Sequence, residues 1–357
     1  MPRTLKLATV QMDATPAPVT DRLARAGALV AEAAAQGAQL IVLPELFNIG
    51  YHYHDENYTC PERLDGQTLT WMKAAAAQHG THLAGTLLLL DGDEVFNSAF
   101  LVAPDGQTWR YDKIFPFAWE RAYFREGRNI TIAETSLGRF GMLICWDSAH
   151  TDLWRRYAGQ VDAMVITSCP PAMQDAHYTL PDGNRIHTSA LGIPNTETLH
   201  FQHMDIEAQA RWLHVPVVAS TGAGHFRSAL PLPLPASLRM SLPMTLEAGY
   251  GRYAKIIRAD GTVAARVEAT GDGVRVAEIT LPDAPPQPTT PQPAMHMPLP
   301  IRLMVDVVGT AAMIPLYRAG LRRVWGARMA PVDPRTWVWL GLMLTALWIG
   351  FGKGRRR

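Results

Sequence analysis

The chain has 357 residues, enough for one large domain with an appendage or for two ordinary domains. At 48% hydrophobic and 18% charged residues it reads as globular rather than disordered, and a formal net charge of +1 offers no global field to nucleic acid. Three cysteines (Cys60, Cys145 and Cys169), odd in number and far apart, argue against a disulfide framework.

Lys6 to Val10 reads as a short strand and Asp21 to Gln36 as an Ala-rich helix closed by Gly37. Gln39 to Leu43 (QLIVL) is a fully apolar strand, the pattern of a sheet covered on both faces. The cycle repeats with a helix over Leu69 to His79 and a strand over Leu83 to Leu90. Ser98 to Ala103 then turns at Pro104-Asp105-Gly106 into a hairpin reaching Tyr111. Phe140 to Cys145 is a further apolar strand, followed by a helix from Thr151 to Ala158 and a strand from Ala163 to Thr167. Glu207 to Leu213 reads as a helix end and Val215 to Ser220 as a strand. Tyr250 to Ile257 and Val263 to Glu268 form a hairpin about Ala259-Asp260-Gly261, and Gly273 to Leu281 is the last strand. Such alternation predicts a layered α/β domain over residues 1–281.

Residues 282–300 carry a proline at nearly every second or third position and read as a semi-rigid spacer. Residues 301–329 mix apolar positions with Arg318, Arg322, Arg323 and Arg328 and suggest an interfacial helix, broken or kinked at Pro315. Residues 336–352 (TWVWLGLMLTALWIGFG) are uncharged and hold three tryptophans, and Lys353 and three arginines follow them. As a helix the segment measures roughly 25 Å, slightly short of a hydrocarbon core. The tail is therefore expected to be membrane-associated. The N-terminus has no apolar run of signal-peptide length, so the catalytic domain is expected in the cytoplasm, attached to the inner face of the plasma membrane.

Three residues with chemical potential stand at predicted strand ends, where open α/β sheets place active sites. Glu45 follows QLIVL directly. Burial there would raise its pKa and make it a proton acceptor near neutrality, although a capping or turn glutamate fits the residue taken alone. Lys113, in RYDKIFPF, lies among aromatics and proline. Its ammonium suits an oxyanion; a snorkelling surface lysine is the plainer alternative. Cys145, in GMLICWD, ends an apolar strand at a turn. A sharp turn would expose the sulfur, and a helix N-terminus would lower its pKa, whereas lone buried cysteines are more often inert.

Taken together, Glu45, Lys113 and Cys145 with the flanks LPELFNIGY, RYDKIFPF and GMLICWD resemble the nitrilase, or carbon–nitrogen hydrolase, superfamily. The resemblance covers roughly Thr4 to Leu281 and includes the closing GYGRYAKIIRADGTVAARV hairpin. It implies an αββα sandwich that assembles into a homo-oligomer. It further implies Glu45 as general base, Lys113 as oxyanion stabiliser and Cys145 as nucleophile. Glu120 would be the second, substrate-positioning glutamate, and Trp146 would give an oxyanion N–H. The reaction needs no metal or organic cofactor.

Tyr51, His52 and His54 follow the Glu45 strand and are expected to line or gate the pocket, as is Cys169 after the next strand. The His52/His54 and His200/His203 pairs lack the partners of a standard zinc site, so no metal is expected. Two segments depart from the commoner pattern: a long polar stretch over Gln174 to His203, read as a loop covering the active site, and an apolar, proline-rich insertion over Phe226 to Glu247. The sequence thus predicts a membrane-associated thiol hydrolase of a linear amide or N-carbamoyl compound, small or amphiphilic. Its rivals are nitrile hydrolysis, acyl transfer from the same thioester to an amine or lipid, and a non-catalytic membrane scaffold.

Overall fold

The computed structural model describes residues 3–188, 206–231, 244–250, 254–294 and 302–325. In chain order the first half gives β1 (Arg3–Asp13), α1 (Val19–Ala35), β2 (Leu40–Val42), α2 (Gln67–His79), β3 (His82–Asp91), β4 (Glu94–Val102) and β5 (Thr108–Asp112). The second gives β6 (Ile132–Thr135), β7 (Gly138–Ile144), α3 (Thr151–Tyr157), β8 (Ala163–Thr167), β9 (Pro171–Thr179), β10 (Arg185–His187), α4 (Ile206–Leu213) and β11 (Val217–Ala223). Then follow β12 (His225–Ala229), β13 (Thr245–Tyr250), β14 (Lys255–Ile257), β15 (Val263–Arg266), β16 (Gly273–Leu281) and α5 (Gly309–Trp325).

Two sheets result. One runs β5-β4-β3-β2-β1 with β16 antiparallel on β1; the other runs β11-β8-β7-β6 with the β14–β15 hairpin on β11. The end of β1 pairs in parallel with β11 (Gln11 with Thr221), so the two are continuous at that edge. The period of two along each strand sorts the core. Leu5, Leu7, Leu40 and Val42 join Phe140, Met142 and Ile144 of the opposite sheet. Ala8, Val10, Met12 and Ile41 pack instead on Leu23, Ala26 and Val30 of α1 and Met72 and Ala76 of α2. On the other side α3 packs against β7, where the Tyr157 hydroxyl donates to Met142 O at 2.7 Å. This is the expected αββα sandwich.

Two segments read as loops are partly strand. β9 and β10 occupy the front of 174–203, and β12 and β13 form the ends of 226–247; together they make a small antiparallel sheet, β10-β9-β13-β12. β9 (PAMQDAHYT) hid among polar and proline residues, yet Ala172, Ala176 and Tyr178 alternate onto one buried face. Tyr250 belongs to β13, not to the β14–β15 hairpin.

The spacer and the tail helix also differ from expectation. Residues 282–294 lie along α3 and α4: Trp212 Nε1 donates to Thr290 O, and Gln292 Nε2 donates to Thr151 O. After a π-helical turn (Leu303–Val308), α5 runs through Pro315 without breaking. Its apolar stripe, Ala312, Met313, Tyr317 and Leu321, is filled by the domain's own Tyr58, Tyr123 and Phe124 instead of facing lipid. Gly320 is required there, because a Cβ would lie 2.2 Å from Tyr58 Cζ. No helix among the described residues is long and apolar enough to cross a membrane, and residues 336–352 lie outside them.

Candidate active site

Each chemical residue sits just past a strand. Glu45 follows β2, Lys113 follows β5, and Cys145 follows β7 with φ of +46°, a left-handed value unusual for a residue with a Cβ. The sandwich brings these ends together. Lys113 Nζ lies 2.7 Å from Glu45 Oε1 and 2.9 and 2.7 Å from Glu120 Oε1 and Oε2. All three side chains are buried. Asn97 Nδ2 donates to Glu45 Oε1 at 2.8 Å, while Glu45 Oε2 is buried with no hydrogen-bond partner. Glu120 also accepts from the Tyr51 hydroxyl and, at 2.6 Å, from Phe117 N–H.

The electrostatics follow from burial. Desolvation raises Glu45 to about 7; Lys113 opposes the shift and Glu120 adds to it. Burial alone would lower Lys113, but the carboxylates of Glu120 and Glu45 outweigh it and hold the ammonium charged. The expected lowering of Cys145 is not found. Burial and then the charge of Glu45 push its thiol well up, with only Lys113 among the side chains opposing them. The turn after it (Cys145–Ala149) is one short 3-10 turn, and α3 begins only at Thr151, so little helix dipole reaches the sulfur. Nor is the sulfur thrust into solvent: Cys145 is 5% exposed, at the wall of a narrow cavity.

That cavity is lined by Tyr51, Tyr53, Phe117, Trp119, Cys145, Trp146, Pro170, Pro171, Met173 and Leu246. None of the described lining residues is charged. Tyr51, expected to line the pocket, is on its wall, and so is Trp146, expected as an oxyanion donor. His52 and His54 are not, because residues 51–54 alternate: Tyr51 and Tyr53 face the cavity while the histidines line a separate cleft with Glu56 and Arg227. There His52, His54 and Glu56 bring ligand atoms within 4.8 Å of one another, with His54 and Glu56 exposed. Cys169 is buried behind the wall, its sulfur where a Cβ on Gly222 would be. His200 and His203 lie outside the described residues.

Several residues were missed in the sequence. Asn97 is a polar residue in mid-strand with no motif around it. Met173 and Leu246 come from β9 and β13, read as loops. Asp147 accepts from Tyr111, Phe115 and Ile144 and braces the nucleophile turn.

Residues 6–287 match the carbon–nitrogen hydrolase family model. The chain belongs to that family. It is similar to a nitrilase of Pyrococcus abyssi (33% identical over 147 residues, 40% of this chain and 56% of that protein). It is also similar to an omega-amidase of Danio rerio (31% identical over 165 residues, 43% and 58%). The chain thus spans about half the length of the curated relatives it matches. Among solved structures, Saccharomyces cerevisiae Nit3, a member of branch 10 of the nitrilase superfamily, shares the fold with a TM-score of 0.60 at 21% identity, covering 78% of this chain and 90% of that one.

Proposed function

We propose that this protein hydrolyses a linear amide, or an N-carbamoyl compound, whose acyl side is uncharged and apolar. The observation that carries the reading is the buried Glu45–Lys113–Glu120 cluster beside Cys145, at an apolar cavity. Lys113 and Glu120 pair as cation and anion, which leaves one proton to move between Glu45 and the Cys145 thiol. A carboxyl near neutrality is suited to take it.

Glu45 removes the thiol proton as sulfur attacks the carbonyl carbon. The tetrahedral oxyanion is held by the Lys113 ammonium and the Trp146 N–H. Its collapse breaks the C–N bond, and Glu45 passes its proton to the leaving ammonia or amine. Water then gives a proton to Glu45 while its oxygen attacks the thioester. Sulfur leaves, takes the proton back, and the acid departs.

The acyl preference rests on the cavity wall. A substrate carboxylate buried there would meet aromatic rings, two prolines, Met173 and Leu246, with no cation among the described lining residues. This separates the chain's proposed substrate from a carboxylate-bearing amide. A nitrile is the second reading, supported by the similarity to a nitrilase. Attachment of the protein to a membrane through residues 336–352 is part of the proposal, supported by that segment's tryptophans and the basic cluster after it. So is assembly into a homo-oligomer.

Ammonia release from a panel of butyramide, hexanamide, phenylacetamide, phenylacetonitrile and a dicarboxylic acid monoamide tests the reading. Turnover of the uncharged amides at least tenfold above the monoamide is expected. A preference for the monoamide, or turnover of the nitrile alone, would overturn it.

A further inference from the structure

The segment that follows the family-matched residues returns to the nucleophile turn. Asp306, in the π-helical turn before α5, accepts from Trp146 Nε1 at 3.0 Å through one oxygen. Its other oxygen lies 3.0 Å from His150 Nε2. The His150 ring is itself stacked on Phe115, with centroids 3.6 Å apart, and its Nδ1 lies 3.0 Å from Trp146 O. The carbonyl and the carboxylate both accept, so the Nδ1–H tautomer of the ring donates to Trp146 O and the Nε2–H tautomer to the carboxylate.

We propose that Asp306 is a positioning residue of the active site, and that the C-terminal helical segment is a working part of the enzyme rather than an appendage. Three observations support this. Cys145 occupies a left-handed φ, a conformation that persists in a residue with a Cβ only where its surroundings impose it. From within the domain, Asp147 and Ser148 impose it: Asp147 accepts from Ile144 N–H, and the Ser148 hydroxyl donates to Cys145 O at 2.6 Å. Asp306 adds a grip from outside, fixing the Trp146 indole, which is a wall of the cavity, to the same turn that in the proposed reaction supplies the oxyanion N–H. Burial opposes ionisation of Asp306, but the bonds from His150 and Trp146 prevail and hold its carboxyl below the ordinary range.

The segment is docked by specific contacts that make the grip durable. The Tyr317 hydroxyl accepts from Val95 N–H and donates to Glu94, Arg323 pairs with Asp55 at 2.7 Å, and Trp325 Nε1 donates to Tyr58 O. None of these contacts touches the nucleophile turn. They therefore supply the control that separates positioning from mere attachment.

The inference rests on the thioester reading only for its turnover assay, so a second probe is used. Butyraldehyde adds to a thiol: the S–C bond forms, the C=O π bond opens, and the thiol proton passes to the new hydroxyl. Its dissociation constant reports the oxyanion geometry without hydrolysis, so the two readings fail separately. For Asp306→Ala, kcat for butyramide falls about tenfold or more with KM changed less than threefold, and butyraldehyde binds about tenfold more weakly. Asp306→Asn keeps one acceptor for the indole and recovers part of both losses. Tyr317→Phe, which loosens the same helix, lowers Tm as much as Asp306→Ala but leaves kcat and aldehyde binding within twofold. Unchanged kcat and aldehyde binding in Asp306→Ala would overturn the proposal, as would an equal loss in Tyr317→Phe.

Discussion

The Asp147 carboxylate and the Tyr111 hydroxyl are 2.8 Å apart, one on the turn after Cys145 and the other two residues before Lys113. The second oxygen of Asp147 accepts from Phe115 N–H at 2.7 Å, so the two strand ends that carry lysine and cysteine are tied at one group. Replacing it by alanine leaves the Tyr111 hydroxyl and two backbone N–H groups, those of Phe115 and Ile144, without their acceptor, at roughly 1–3 kcal/mol for each unsatisfied group. Asp147→Ala is expected to lose several degrees of Tm and to lower kcat 10- to 100-fold. Thermal unfolding and steady-state kinetics on butyramide check both.

Glu45 sets the acid limb of the reaction. Because burial raises it to about 7, kcat/KM is expected to climb with pH and level off above that value. Glu45→Gln removes the proton acceptor and is expected to lower kcat by about a thousandfold or more, leaving no such limb. A pH–rate profile of both proteins is the check.

Lys113 is a fully buried cation facing two carboxylates. Lys113→Met strands both of them, a loss on the order of 3–5 kcal/mol for a broken buried pair. The penalty grows with pH. The Glu45 carboxyl, raised in the folded state, favours it while protonated, and that contribution disappears as pH rises through its folded pKa. Urea denaturation at pH 5 and pH 8 should show the larger destabilisation at pH 8.

Two truncations separate the tail's halves. Removing residues after 294 deletes Met313, Tyr317 and Leu321 from a buried cluster, each side chain contributing roughly 1.5–3 kcal/mol. The product is expected to be unstable or inactive. Removing only residues 326–357 is expected to preserve activity while abolishing cosedimentation with phospholipid vesicles.

Much of this was legible in the sequence. Unbroken apolar runs such as QLIVL gave the sandwich strands, and Gly273–Leu281 matches its expected bounds. The Glu45, Lys113, Glu120 and Cys145 cluster was legible because each residue stands in a recognisable flank. A helix within 301–329 was legible too, but not the surface it packs on. A stripe of apolar positions with arginines opposite satisfies a lipid surface and a protein groove equally, and Tyr317 on Glu94 and Val95 is a contact between residues more than two hundred apart. His52 and His54 were misplaced because the phase of an extended segment, and with it which residues face inward, depends on tertiary packing. The depressed thiol expected at the turn failed because a motif reveals neither the length of the following helix nor the depth of burial.

Rapid-quench intact-mass spectrometry of wild type and Cys145→Ala during turnover of hexanamide tests the central claim most directly. The account predicts a transient mass increase equal to the hexanoyl group, mapped to Cys145 and absent from the variant, which releases no ammonia. Ammonia release by Cys145→Ala, or an acyl group carried on another residue such as Cys169, would contradict it.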